Sequence, residues 1–218
     1  MSYTQCLIVL LSINIRNWQV EAHGRLLEPP MRASIWRFPE FDHLNPPVEY
    51  DDDAFWCGNM VTQHNQNGGK CGVCGDNWAD KAPRSHEDGG TYGKGIIVRN
   101  YTAGQVIPIK VELTGAHDGY FEYRICPRNS RSDPETEECF KKNILHHADG
   151  SGTKQPASRR KGLYVTKLKL PFTIKCTRCV LQWHYLTGNN WGNCGNGTNA
   201  VGCGPQETFR GCADIGIY

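Results

Sequence analysis

Two histidines in this 218-residue chain occupy positions where metal chemistry through nitrogen is available. His23 follows Val20-Glu21-Ala22, a small-residue site downstream of the apolar run at residues 6 to 14. That run is too short to span a bilayer, so residues 1–22 are predicted to be a secretory signal peptide. Cleavage after Ala22 makes His23 the first residue. An N-terminal histidine offers two donors to one ion: an α-amine that yields a neutral nitrogen near neutral pH, and a ring Nδ1 that closes a chelate. One more imidazole completes an all-nitrogen set with open positions. Such a set suits copper in both oxidation states, and the Irving–Williams order favours Cu(II) over its competitors. His117 is the expected second imidazole, because Gly115-Ala116-His117-Asp118-Gly119 reads as a turn from which a side chain points off a sheet edge.

Cysteine usage supports secretion independently. Of eleven cysteines, Cys6 leaves with the signal, and an even set remains: Cys57, Cys71, Cys74, Cys126, Cys139, Cys176, Cys179, Cys194, Cys203 and Cys212. An even set in a secreted chain predicts five disulfides, with connectivity left open. The spacings Cys71-x-x-Cys74 and Cys176-x-x-Cys179 also suit a zinc ribbon. The secretory start favours disulfides. Asn100-Tyr101-Thr102 and Asn196-Gly197-Thr198 are glycosylation sequons that fit the same compartment. A formal charge of +2 gives no field strong enough to favour nucleic acid, and no later stretch is apolar enough for a membrane span.

The elements that must position these groups read as strands. Residues 105–114 alternate Ile107, Ile109, Val111 and Leu113 with polar partners, and 120–126 follow after the turn, which predicts a hairpin. Residues 163–170, 179–186 and 209–217 supply further strands, with Trp183 and Tyr185 facing away from Gln182 and His184. Residues 128–161 are polar and read as a surface excursion with one short helix around 135–145. Residues 29–95 are loop-rich and stapled by Cys57, Cys71 and Cys74. Asp51-Asp52-Asp53 reads as a solvated turn rather than a pair of catalytic acids. The prediction is one all-β domain over residues 23–218, a β-sandwich with long disulfide-stapled loops.

Five segments together resemble a known family: the start His23-Gly24-Arg25-Leu26-Leu27-Glu28-Pro29-Pro30-Met31-Arg32, Cys71-Gly72-Val73-Cys74-Gly75-Asp76, residues 114–126, Cys179-Val180-Leu181-Gln182-Trp183, and Gly211-Cys212-Ala213-Asp214. The family is the lytic polysaccharide monooxygenases, most closely the invertebrate-type auxiliary activity family fifteen. The resemblance implies an immunoglobulin-like or fibronectin-III-like β-sandwich that holds one copper ion through the amine and ring of His23 and the ring of His117. It further implies an external electron donor, dioxygen or hydrogen peroxide as co-substrate, and hydroxylation at C1 or C4 beside a glycosidic bond. The expected partners are a small-molecule or protein reductant and insoluble chitin or cellulose, acted on by a secreted monomer. By its spacing to Cys212 and Asp214, Phe209 matches the axial aromatic position where many relatives carry Tyr. Glu207, two residues earlier, is expected to hydrogen-bond to an oxygen species beside the metal. Gln182 and His184 are weaker candidates for that neighbourhood. Tyr50, Phe55 and Trp56 are expected to stack on sugar rings. A second function class keeps the fold without turnover: a secreted chitin-binding or copper-handling protein.

Overall fold

The computed structural model describes residues 22–218, so the predicted signal peptide lies outside the described residues except for Ala22. Two sheets form a sandwich. The first is four-stranded, in the order β1 (His23–Glu28), β3 (Val106–Gly115), β7 (Gly162–Lys169), β5 (His146–His147). The second is five-stranded, in the order β2 (Arg99–Tyr101), β11 (Thr208–Ile217), β8 (Cys176–Thr187), β4 (Gly119–Cys126), β6 (Lys154–Ala157). A separate hairpin pairs β9 (Trp191–Asn193) with β10 (Asn199–Val201). The pairing of β2 with β11 is parallel; the other strand pairings described are antiparallel.

The core sits between the sheets because the alternating residues of each face it. Ile107, Ile109, Val111 and Leu113 of β3 meet Phe121, Tyr123 and Ile125 of β4, Trp183 and Tyr185 of β8, and Phe209 of β11, all buried. Aromatic packing fixes the arrangement: Phe121 lies edge-on to Tyr185, Trp183 and Tyr164. The expected hairpin of β3 with β4 does not form. β3 pairs with β1 and β7, whereas β4 pairs with β6 and β8, so Ala116-His117-Asp118 crosses from one sheet to the other. A core on both strands' inner faces requires this: each strand buries its apolar face only if the two lie in opposed layers.

The polar excursion holds its predicted short helix, α1 (Glu137–Lys142), capped by Thr136. It also contributes β5 and β6, one edge strand to each sheet, and is therefore more than a surface loop. The five disulfides are Cys57–Cys71, Cys74–Cys212, Cys126–Cys139, Cys176–Cys179 and Cys194–Cys203. Only the second of the two C-x-x-C spacings pairs internally. A second small core of Val73, Cys74, Cys126, Phe140, Val180 and Cys212 packs α1 and the stapled loops onto the outer face of the five-stranded sheet.

Candidate metal centre

Strand register brings His23 to the end of the sandwich where the His117 crossover begins. In the β1–β3 ladder His23 lies opposite Gly115, two residues before His117. A register shift between His23 and Gly24 bends β1 there, as bulges do where a side chain must be re-aimed. Gly24 is the only residue type that fits behind the site, because a Cβ would lie 2.6 Å from Leu113 Cδ2 and 2.9 Å from the Glu112 carbonyl oxygen. Its amide donates to the Asp53 carbonyl at 2.8 Å. Asp53 also accepts from Thr114 at 2.5 Å and from Arg25 at 3.2 Å, while Asp52, fully buried, holds Arg25, Arg37 and Ser34. The acidic triplet is a turn, as expected, but its middle residue is enclosed. It clamps the start of β1 from below.

His117 is fixed by Tyr185 from the opposite sheet. The Tyr185 hydroxyl accepts from the His117 amide at 3.1 Å and donates to the His117 carbonyl at 2.5 Å. Burial pushes that hydroxyl's pKa up, so it remains a donor. The ring of His117 lies beside Glu207, with Nε2 3.8 Å from the carboxylate Oε2. Glu207 is set by main-chain pairing: its carbonyl accepts from Thr187 N at 3.0 Å, and Gly188 N donates to the Asp118 carbonyl at 2.6 Å. The turn before β11 and the end of β8 therefore bracket the histidine crossover.

Aromatic rings close the other side. Trp56 lies 6.0 Å from the His23 ring and 6.3 Å from the Phe209 ring, and Phe209 lies 5.7 Å from the Tyr185 ring. Phe209 is 1 % exposed and offers no oxygen, so this flank is an apolar wall. Of the three aromatics expected to meet sugar, Trp56 packs partly buried against the core and borders His23, and Tyr50 is 81 % exposed and held edge-on by Trp36. Phe55 packs inward against His86 at 4.0 Å and against the core. Gln182 and His184 sit on the outer face of the five-stranded sheet, remote from this site: Gln182 donates to the Val73 carbonyl and His184 accepts from Arg210. Asn100 lies exposed in β2, and Asn196 lies exposed at the turn of the β9–β10 hairpin, its Oδ1 accepting from Thr198.

Among the described residues no three His, Cys, Asp or Glu side chains gather as a metal site. The donor set fits copper only with a nitrogen from the backbone as well: two imidazoles, the amine that the predicted cleavage before His23 would release, and a carboxylate beside the second ring. Sequence reasoning missed Tyr185 as an anchor and Asp52 and Asp53 as a clamp, since a buried tyrosine or a run of acids carries no sign of its partner.

The family model described as lytic polysaccharide mono-oxygenase, cellulose-degrading, matches residues 23–215 and so opens on His23. The lytic polysaccharide monooxygenase AA15 from Thermobia domestica, solved in its Cu(I) state, superposes with a TM-score of 0.85 at 48% sequence identity, covering 89% of this chain and 98% of that one. A chitin binding domain from Burkholderia pseudomallei, at 14% identity and a TM-score of 0.43 over 91% of this chain and 100% of that one, is too remote to carry an inference. A search of curated proteins finds no match. With the sandwich, a histidine at the start of β1 beside the His117 crossover, and the family match over nearly all the described residues, the chain belongs to the lytic polysaccharide monooxygenases, copper-dependent enzymes that cleave polysaccharide chains oxidatively.

Proposed function

We propose that the working enzyme is secreted, begins at His23, and holds one copper ion through the His23 amine, the His23 ring and the His117 ring. The observation that carries this is the convergence of His23 with the His117 crossover at the residue where the family match starts. Copper supplies one-electron chemistry with dioxygen or peroxide once an external reductant has delivered electrons. The chain's own residues do the rest. Phe209 and Trp56 keep water from the apolar flank, and the Glu207 carboxylate is placed to hold or pass a proton beside His117 Nε2. Trp56 and Tyr50 offer ring faces to pyranoses of crystalline chitin or cellulose, and the enzyme acts as a monomer. The family match over residues 23–215 favours the oxidative reading over a binding protein without turnover.

Intact-mass and N-terminal analysis of the secreted protein, with copper titration followed by electron spin resonance, tests this directly. The expected result is a chain starting at His23 that binds one Cu(II) through nitrogen and loses that signal in His117→Ala. A chain starting elsewhere, or copper binding indifferent to His117, overturns the assignment. Glu207→Gln is expected to keep the copper stoichiometry and lower release of oxidised oligosaccharides about 100-fold, as read by mass spectrometry of soluble products.

A further inference from the structure

Residues 158–161, Ser158-Arg159-Arg160-Lys161, hold the one run of three basic residues in this chain. They join β6 to β7 and so cross from the five-stranded sheet to the four-stranded one. Register places the crossing at the metal end: Ala157 lies opposite Gly119 and Gly162 opposite Leu113, on either side of the His117 crossover. Every residue from Ser158 to Leu163 is exposed. None of the four loop residues bonds through its main chain to another main-chain group among the described residues. The ties that hold them come from side chains. The Arg159 guanidinium meets Asp118 at 2.9 Å, with those side chains 70 % and 49 % exposed, and the Tyr164 hydroxyl bonds to Ser158 and, at 2.8 Å, to the Arg160 carbonyl. An ion pair so exposed holds weakly.

Other exposed basic residues are better fastened. Lys81 sits in the exposed run 78–83, but Arg84 closes that run on itself by donating to the Asn77 and Trp78 carbonyls, and Glu87 holds Arg84. Lys141 and Lys142 lie in α1, which Cys126–Cys139 bridges to β4. Arg131 is bonded to Asp88 and to the Gly93 carbonyl. Endopeptidases cut exposed loops that lack such fastening, because the chain must leave its fold to enter the protease cleft. β6 eases this. It is a four-residue edge strand, so it can peel from β4 and supply the residues before the cut.

We propose that Arg159-Arg160-Lys161 is a processing site for an extracellular endopeptidase that cuts after basic residues, and that its product is a two-chain enzyme. A basic side chain fits a specificity pocket that ends in a carboxylate. Hydrolysis consumes one water: the carbonyl carbon before the cut becomes a carboxylate, and the nitrogen after it becomes a free amine. The pieces stay together. Of the five disulfides only Cys74–Cys212 joins one side of the cut to the other. The sheets also interleave, since β7 of the second piece lies between β3 and β5 of the first, and β8 of the second lies beside β4 of the first. His23 and His117 belong to the first piece, while Tyr185 and Glu207, which border His117, belong to the second. The cut therefore leaves the two halves of the site covalently joined through one disulfide. From the preceding reading this inference takes only that the enzyme is secreted.

The test exposes the folded, copper-loaded protein to a low ratio of trypsin and separates the products with and without reductant. The expected result is one linked species without reductant, two fragments after reduction, and a new N-terminus at Arg160, Lys161 or Gly162. The nicked form should still unfold cooperatively, at a lower temperature than the parent. The triple variant Arg159→Gln, Arg160→Gln, Lys161→Gln is expected to lose the cut. A folded parent that resists trypsin while its urea-unfolded form is digested overturns the proposal. So does a first new N-terminus elsewhere, such as Ala82, or pieces that part without reductant. The position of the first cut in the parent decides the matter even where the triple variant fails to fold, and it does so whether or not the enzyme releases oxidised products.

Discussion

At the scale of single residues, the site depends on side chains that touch no substrate. Tyr185 satisfies both main-chain groups of His117, in a segment that crosses between sheets and has no ladder partner of its own. Such buried hydrogen bonds contribute about 1 kcal/mol each, and losing them frees the crossover to move. Tyr185→Phe keeps the ring that packs on Phe209 and Phe121 and removes only the hydroxyl. The expected outcome is a loss of about 1–2 kcal/mol in urea unfolding together with a several-fold weaker copper affinity in competitive titration. A purely structural role would lower stability and leave copper affinity unchanged. His117 was legible in the sequence from its turn, whereas its anchor lies 68 residues away and left no trace.

The elements set how His23 reaches the His117 crossover. β1 reaches the site only because its first residues lie flat on β3, and Gly24 permits that approach over Leu113, Glu112 and Trp183. Gly24→Ala forces a methyl into space already occupied, an overpacking that costs about 1–3 kcal/mol. Melting should shift down accordingly. The stabilisation that added copper confers should shrink as well, because displacing β1 moves His23. The strand pattern of β3, β4, β7, β8 and β11 was readable from alternation, and the short helix from its polar surroundings. The β3–β4 pairing was not, because the turn between them looks the same whether the chain doubles back within one sheet or steps across to the other. The edge strands β5 and β6 are two and four residues long, too short for a periodic signal.

Across the whole molecule, buried charge holds the long loops on the outer face of the five-stranded sheet. Arg32, buried, binds Asp214 and Glu135 and the His86 carbonyl; Arg128 shares Glu135 and adds Asp88. Across β4, β8 and β11, Glu122, His184 and Arg210 are neighbours, with Glu137 of α1 bonded to Arg210 at 2.7 Å. Burial, with the positive charges of Arg210, Arg124 and Lys141, pushes the His184 imidazole well below its ordinary value, so it stays neutral. The unfolded chain takes up a proton on this ring below about pH 6.5 and the folded chain does not, so the stability present above that pH is lost as pH falls through it. Burial alone would raise Glu137 and Asp88, but Arg210 on the first and Arg128 and Arg131 on the second hold them below the usual carboxylate range. Their contribution is present above the ordinary carboxylate values and is lost at still lower pH. The melting temperature should therefore fall between pH 7 and pH 5, and His184→Gln, which keeps an acceptor but does not titrate, should flatten that slope.

By itself the sequence determined the chemistry on offer and the kind of scaffold: a histidine after a predicted cleavage site, a second in a turn, alternating strands and an even set of cysteines. These are local signals, carried by residue type and by spacing over a few positions. Only the tertiary structure decided which cysteines pair, that Asp52 is enclosed, that Phe55 lies against His86 while Trp56 borders His23, that Gln182 and His184 face away, and that Trp191 stands exposed on a stapled hairpin. Each of those outcomes depends on which surface of one element meets which surface of another. Residues far apart in the chain become neighbours through burial and layer packing, a choice that no short window of sequence contains.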